Sequence, residues 1–360
     1  MTSTTLSPRD VGAAAPARGR PRGGDDAALL RVAAEAARDF AAPDPRIFWA
    51  DMLASATLGY AALVAAILLH GAAAWGAGVV AALALYRAGS FIHELTHVKH
   101  AQLRGFRLGW NLAVGVPLLA PSFMYEGVHT LHHARTRYGT IDDPEYLPLA
   151  RMKPWTVPLF VLTAALAPIA LIFRFAVLTP LSLLSPRLRA TVVARYSALA
   201  INPAFRRRPP EGALARQWRW QEAGASLWAI ALVLLVATGT LPLRAFLIGL
   251  GVTSAMMVVN QIRTLVAHLW ENEGEAMSVT AQYLDSVNVP PPTLLPALWA
   301  PVGLRYHALH HLLPSVPYHR LGAAHRRLVT ALGADSPYHA ANHPGLPQLV
   351  ARLVRGTLRG

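Results

Sequence analysis

Four long apolar runs alternate with short Arg-containing segments along the chain. A membrane-crossing helix needs about 20 mainly apolar residues. The stretches that meet this requirement are residues 52–70, 74–92, 223–241 and 243–266. A short HGAA turn joins the first two, and a turn around GTLPLR joins the last two. The pattern predicts an all-α integral membrane protein in which four transmembrane helices form two hairpins.

Two further apolar stretches fit this scheme less simply. Residues 111–124 are too short to span a membrane and contain two prolines, so we expect them to lie in the interface or to re-enter. Residues 155–184 are long enough to cross once, but Pro158, Pro168 and Pro180 interrupt them. We expect this stretch to dip into the membrane and return, or to lie along its surface.

Composition and charge support a membrane protein and orient it. Hydrophobic residues make up 54% of the 360 residues and charged residues only 14%, whereas soluble domains carry about 25% charged residues. The net charge of +14 comes almost entirely from Arg, and the QLRG, RMK, RLR and RRR segments lie outside the hairpin turns. The positive-inside rule therefore places both chain ends and the long loops in the cytoplasm. Nucleic acid is the other partner that such a charge suggests, but the hydrophobicity argues against it.

The chain divides into one large domain and two ends. Residues 1–26 are rich in Pro, Gly, Ala and Arg and lack a signal-peptide core, which predicts a disordered cytoplasmic tail. Residues 27–330 form the predicted membrane domain, which opens with a short surface helix over 27–42. Residues 331–360 are expected to form a C-terminal cytoplasmic tail.

Histidine carries the candidate chemistry. Cysteine is absent, which excludes thiolate metal sites and disulfides, whereas histidine occurs 15 times. The box HELTHVKH spaces its histidines i, i+4, i+7, and HTLHH and HALHH space theirs i, i+3, i+4. These spacings place the imidazoles on one helical face. With one histidine directly after the last apolar helix, the candidate metal ligands are His93, His97, His100, His129, His132, His133, His268, His307, His310 and His311.

Ten imidazoles are too many for one ion, because zinc, for example, takes about four ligands. They fit two ions with four or five ligands each, and imidazole suits Zn, Cu, Fe and Ni. A two-metal site could serve hydrolysis, but a site against a bilayer suits an apolar substrate better. If all the boxes share one site, an even number of crossings must separate them. The second hairpin supplies two, so residues 155–184 should not cross singly.

The boxes HELTH, HTLHH and HALHH, in this order, resemble the integral-membrane fatty acid desaturases. More specifically, HHARTRYGTIDDPEYLPL, IRTLVAHLWENEG and HHLLPSVPYHRL resemble bacterial acyl desaturase-like sequences. The resemblance implies a di-iron centre held by the histidines above, with a cytoplasmic helical cap around it. It also implies a bacterial inner-membrane enzyme that removes two hydrogens from a lipid acyl chain with dioxygen and two external electrons.

The resemblance implies a separate electron donor, ferredoxin-like or similar. The residues themselves show no nicotinamide or flavin site. The stretch GAGVVA at 76–81 matches a dinucleotide-binding pattern, but it lies inside a predicted membrane helix with no strand before it. Glu94 and Glu126 are expected to accept hydrogen bonds from metal-bound imidazoles. Histidines beyond the third box, His325 among them, are expected at the surface.

Two alternatives to desaturation stay open. The same metal site could serve a hydroxylase or ketolase acting on an alkane, a sphingoid chain or a carotenoid, because the boxes do not distinguish oxygen insertion from desaturation. In another class, a metal transporter or a metal-dependent membrane hydrolase would also need such ligands. A transporter, however, should carry ionisable residues near the middle of its helices.

Overall fold

A computed structural model describes residues 24–293 and 295–359 of the chain. These residues form helices, and their strand-like pairing is limited to isolated bridges such as His268 with Ser286. The predicted all-α class is therefore confirmed for the described residues. The α-helices are α1 Ala27–Phe40, α2 Pro45–Leu68, α3 Gly71–His97, α4 Phe106–Trp110, α5 His129–His132, α6 Thr156–Phe173, α7 Thr179–Ser182, α8 Pro186–Tyr196, α9 Gly212–Ala237, α10 Leu243–Leu265, α11 Val279–Asp285, α12 Pro296–Trp299, α13 His307–Leu312, α14 Tyr318–Ala331 and α15 Leu346–Thr357. Shorter π and 3-10 segments are Asn111–Gly115, Ser122–Met124, Leu149–Arg151, Arg174–Leu178 and Pro337–Ala341.

Helices α2 and α3 form the first predicted hairpin. Helix α2 begins at Pro45, where the Asp44 side chain accepts the backbone N–H of Arg46 at 2.9 Å and caps the helix. The two helices pack closely at Gly59, because a Cβ there would lie 2.7 Å from the Leu85 side chain. The mean hydropathy of both helices is high enough for membrane spans.

Helices α9 and α10 are joined by the turn of the second predicted hairpin, which meets the turn of the first. The two helices pack mainly against other elements, α10 against α6 and α3 and α9 against the segment Arg174–Leu178. The Arg244 side chain, at the start of α10, donates to the backbone carbonyls of Ile67 at 2.5 Å and Leu69 at 3.2 Å. Both turns therefore lie at one end of the helix bundle. The opposite end holds the end of α3 and the end of α10, from which the candidate ligands follow.

Residues 156–182 form one continuous helical run instead of the interrupted stretch that the sequence predicted. Pro158 lies in the first turn of α6, where a backbone N–H has no acceptor within the helix. Pro180 lies at the start of α7, directly after the π segment Arg174–Leu178, and only Pro168 is inside a regular helix. With this run, five helices of the described residues are long and apolar enough to cross a membrane, where the sequence predicted four.

As predicted, the stretch 111–124 does not form a spanning helix. It folds back on itself instead. The Asn111 side chain accepts the backbone N–H of Ser122 at 2.8 Å and donates to the Ser122 hydroxyl at 2.9 Å. Both side chains are fully buried. The chain thereby returns from the end of α3 to the start of the second histidine box.

Opposite the hairpin turns lies a helical layer, here termed the cap, which comprises α1, α4, α5, α11–α15 and their loops. Helix α1 packs on α14 through the buried Leu29 and Ala33. The predicted C-terminal tail folds onto the cap as well, since α15 approaches the segment Leu149–Arg151 so closely that a Cβ on Gly356 would lie 2.9 Å from the Ala150 carbonyl oxygen. Of the predicted N-terminal tail, residues 1–23 lie outside the described residues.

Candidate metal centre

The candidate ligands come from four helix ends that converge between the apolar helices and the cap. His93 and His97 occupy the last two turns of α3. The second box forms the one-turn helix α5, the third forms α13, and His268 follows α10 by three residues. Nine of the ten candidates therefore come together although more than 200 residues separate the first box from the third.

The nine imidazoles form two groups in which all potential ligand atoms lie within 4.8 Å of one another. Cluster one comprises His93, His97, His129, His133 and His310. Cluster two comprises His132, His268, His307 and His311.

Each His-x-x-His-His box contributes to both clusters. On a helix, residues i and i+4 lie nearly in line, whereas i+3 and i+4 point about 100° apart. Accordingly His129 and His133 enter cluster one, while His132 enters cluster two. The third box does the reverse, since it sends its i and i+4 residues to cluster two and His310 to cluster one.

The Nε2 atoms point toward one another within each cluster. In cluster one, Nε2 of His133 lies 3.0 Å from Nε2 of His129, and Nε2 of His310 lies 3.1 Å from Nε2 of His97. In cluster two, Nε2 of His307 lies 3.0 Å from Nε2 of His268 and 3.2 Å from Nε2 of His311.

In cluster one, a carboxylate fixes the orientation of His129. Its Nδ1 lies 3.0 Å from Oε1 of Glu145 and 2.8 Å from the Tyr125 hydroxyl, which itself donates to Glu145 at 3.0 Å. Since an ionised carboxylate only accepts, Nδ1 carries the proton and Nε2 presents a lone pair to the cluster.

In cluster two, His132 and His268 are oriented in the same way. Both carboxylate oxygens of Asp143 lie within 3.0 Å of Nδ1 of His132. Nδ1 of His268 lies 2.8 Å from the Tyr138 hydroxyl, which donates to Asp285 at 2.9 Å. Both histidines therefore also direct an Nε2 lone pair inward.

The inward-directed Nε2 lone pairs of His129, His132 and His268 are the kind of ligand atom that a metal ion needs, and the other imidazoles surround them, so the donor set fits two bound metal ions. A second observation agrees. Neither ring nitrogen of the buried His93 has a hydrogen-bond partner among the described residues, and neither does Nδ1 of His310. Buried polar atoms are otherwise nearly always satisfied.

The electrostatics favour neutral imidazoles, which metal binding requires. Burial, followed by the neighbouring imidazoles, holds the pKa of His129 and of His311 well below the ordinary value. His132 differs, because burial lowers its pKa but the charges of Asp143, Glu145 and Asp285 outweigh burial and raise it. Burial also raises the pKa of Glu145 to about 7 and that of Asp285 to about 6.

One ligand in cluster two faces a cation instead of an acceptor. The buried Arg263 side chain donates to Nδ1 of His307 at 3.0 Å, and among the described residues no carboxylate lies within ion-pair distance of Arg263. With Nδ1 accepting, the neutral His307 ring carries its proton on Nε2, directed at His268. A metal ion held by Nε2 of His307 would have to replace that proton.

His100, the tenth candidate, lies outside both clusters and is exposed. The i, i+7 spacing would place it on the ligand face only if α3 continued, but the helix ends at His97 and Val98 is extended. Among the other histidines, His325 is buried instead of lying at the surface, and its Nδ1 lies 2.7 Å from the Tyr338 hydroxyl.

The expected carboxylate partners prove to be mostly different residues. Glu94 lies 3.5 Å from Nδ1 of its neighbour His93 and accepts the backbone N–H of Tyr318 at 3.0 Å. Glu126 instead pairs with Arg107 at 2.9 Å and contacts no candidate ligand. The partners that sequence reasoning did not single out are Tyr125, Tyr138, Glu145, Arg263 and Asp285. Of these five, only Glu145 had a signal in the sequence, because it belongs to the acidic loop IDDPE after the second box.

Comparison with known proteins identifies the family. The fatty acid desaturase family model matches residues 69–342. The chain belongs to this family. The chain is also 50% identical over 331 residues to the ceramide hydroxylase of Caulobacter vibrioides (strain NA1000 / CB15N), an alignment that covers 92% of this chain and 94% of the relative. No solved structure matches. The family assignment confirms the resemblance carried by the histidine boxes, and the relative is a hydroxylase of this membrane family.

Proposed function

We propose that this chain is a membrane hydroxylase that inserts one oxygen atom of dioxygen into a C–H bond of ceramide or a related sphingolipid. The observation that carries the proposal is the likeness, at 50% identity over nearly the full length of both chains, to a ceramide hydroxylase. The two imidazole clusters support the reaction class. The proposal follows the hydroxylase alternative of the sequence analysis, with a sphingoid substrate, in preference to acyl desaturation.

Two iron ions are the proposed cofactors, one held by each cluster. Bound iron supplies the activation of dioxygen, which no side chain can provide. The protein orients the ligands through Glu145, Asp143 and the Tyr138–Asp285 pair, whose hydrogen bonds fix which imidazole nitrogen faces the ion. The buried position of the clusters limits the access of water to the lipid chain.

The proposed topology has four crossings and places the clusters and both chain ends in the cytoplasm. His132 and His268 belong to one cluster, so the chain between them must begin and end on the same side. Helices α9 and α10 supply two crossings, so the continuous helical run 156–182 does not cross singly and has both ends on the side of the clusters. Two contacts support this topology. Phe160, near the start of the run, packs near Trp270, which follows the ligand His268 by two residues. Arg174, near the end of the run, donates to the Ser197 hydroxyl at 2.9 Å.

Hydroxylation needs two electrons and two protons for each dioxygen, so that the second oxygen atom leaves as water. The chain has no cysteine for an iron–sulfur cluster. We propose that a separate electron-transfer protein delivers the electrons at the cytoplasmic face.

The test is lipid analysis of a bacterial host that makes ceramide and expresses this chain. We expect ceramide that has gained one oxygen atom, derived from isotopically heavy dioxygen, and protein that contains iron. The H132A variant should give no product, and the matched H100A variant should behave as wild type. Loss of two hydrogens instead would identify a desaturase, and unchanged ceramide in cells with iron-loaded protein would refute the proposed substrate.

A further inference from the structure

A groove with about 760 Å³ of water-accessible space lies behind the second histidine box. One wall is formed by the box and its following loop, including Val128, Leu131 and Arg137, and the other by residues 204–211 and the start of α9. Trp218 is the buried aromatic residue that lines it from α9. We refer to this feature as the arginine groove.

The arginine groove is separated from the clusters by the thickness of a one-turn helix. Val128 and Leu131 line the groove, and they directly precede His129 and His132 in the sequence. Leu131 lies about 160° around the helical turn from both His129 and His133, so it faces the groove while they face cluster one. A redox centre held in the groove would therefore lie close to both clusters.

The groove carries positive charge that the described residues do not neutralise. Arg137, Arg206 and Arg208 line it, and none has a carboxylate within ion-pair distance among residues 24–293 and 295–359. The Arg206 guanidinium donates only to the backbone carbonyls of Pro203 and Phe205, each at 2.7 Å. Asp142 and Glu211 also line the groove, so four arginines face two carboxylates.

The fourth arginine makes the groove wall rigid. Arg207 is buried, donates to the backbone carbonyls of Ser197 at 2.5 Å and Glu126 at 2.6 Å, and stacks over Trp218 at 4.5 Å. Pro209 and Pro210 follow it in the same wall, and proline restricts the backbone further. The exposed arginines are thus presented by a fixed surface, which lowers the entropic cost of binding.

The position of the groove argues against a lipid chain as occupant. It lies beside the polar first turns of α9, which carry Arg216 and Arg219, before the apolar part of that helix begins. Six of its sixteen lining residues are charged, whereas a site for an acyl chain is predominantly apolar with few polar groups.

We infer that the arginine groove is the docking surface for a small acidic electron-transfer protein. The inference rests on the proposed function, since hydroxylation requires two electrons from outside the chain. Electrostatic complementarity speeds the encounter of such partners, and electron-transfer interfaces are small, with less than about 1,200 Å² buried in total. A groove of this size, charge and proximity to the clusters matches these requirements.

The experiment uses the full-length, iron-loaded protein in detergent and a reduced plant-type [2Fe–2S] ferredoxin as acidic probe. The rate of ferredoxin oxidation by the enzyme is measured by stopped-flow absorbance, without lipid. We expect the R137E/R208E variant to lower the second-order rate constant at least about tenfold at low salt. The matched R326E/R327E variant reverses the same number of charges, at two exposed arginines of α14, and should stay within about twofold.

The control is a single turnover in which the enzyme is first reduced without dioxygen by stoichiometric dithionite, a small reductant that needs no docking, and is then mixed with dioxygen. R137E/R208E should then hydroxylate ceramide at the wild-type rate, and added salt should slow only the ferredoxin reaction. The inference is overturned if the ferredoxin rate is unchanged in R137E/R208E, if dithionite-driven turnover falls equally, or if the ferredoxin does not reduce the wild type. A wrong proposed function appears separately, as wild-type enzyme that is reduced but makes no hydroxylated ceramide.

Discussion

The two imidazole clusters are built from the same residue type but differ in number of ligands and in surrounding charge. Cluster one has five imidazoles, and Glu145 orients His129 within it. Cluster two has four, and one of them faces the buried cation Arg263. An ion with fewer protein ligands keeps a position open, as catalytic zinc sites do. The comparison predicts that an external ligand binds the ion of cluster two.

Removal of one imidazole from either cluster should have the largest effect. We expect H97A to lose the ion of cluster one and H311A that of cluster two, so each variant retains about one of two ions and loses at least about 100-fold in activity. Elemental analysis of purified protein measures the metal, and lipid analysis the activity. Loss of both ions from either variant would show that the clusters are not independent.

Removal of a carboxylate that orients an imidazole should lower the affinity of that cluster for its ion about 10- to 100-fold. D143N acts on cluster two and E145Q on cluster one, because these carboxylates contact His132 and His129. The rate of metal loss to a chelator measures the effect. The matched D142N variant alters the exposed neighbour of Asp143 and should match wild type, whereas equal effects of D142N and D143N would contradict this account.

Removal of the cation beside cluster two should lower the reduction potential of its iron. At an effective dielectric constant of about 20, a unit charge this close to the cluster contributes on the order of 1 kcal/mol or more. A redox titration followed by Mössbauer spectroscopy should show the shift in R263Q for one of the two ions, and R263K should retain most of the wild-type potential. If the reduction potentials of both ions shifted by the same amount, Arg263 would not distinguish cluster two from cluster one.

The smallest effect is expected at the histidine that lies outside both clusters. His100 is exposed, so H100A should keep both ions and its activity within about twofold of wild type. Elemental analysis and product formation check this, and loss of an ion would show that the segment after α3 rearranges when metal binds.

Local periodicity accounts for much of what could be predicted. The apolar runs predicted both hairpins, because a membrane helix must satisfy its backbone internally and be apolar along its length. The i, i+3, i+4 spacing of HTLHH and HALHH depends only on the helical repeat, which α5 and α13 preserve. Two expectations extended a local signal too far. The spacing of His100 assumes that α3 continues, but α3 ends at His97 and leaves His100 outside both clusters. Pro158 and Pro180 were expected to interrupt a helix, but they lie near helix starts, which tolerate proline.

Taken alone, the sequence determined the all-α class, the four apolar helices α2, α3, α9 and α10, the family and the nine histidines that come together, because these follow from composition and from spacing within a single helix. Only the tertiary structure decided how adjacent histidines such as His132 and His133 divide between the clusters, and that Glu145, Asp285 and Arg263 contact the imidazoles. Those contacts join residues that are distant in the chain. They arise from the packing of α5, α10 and α13 against one another, which no local pattern encodes.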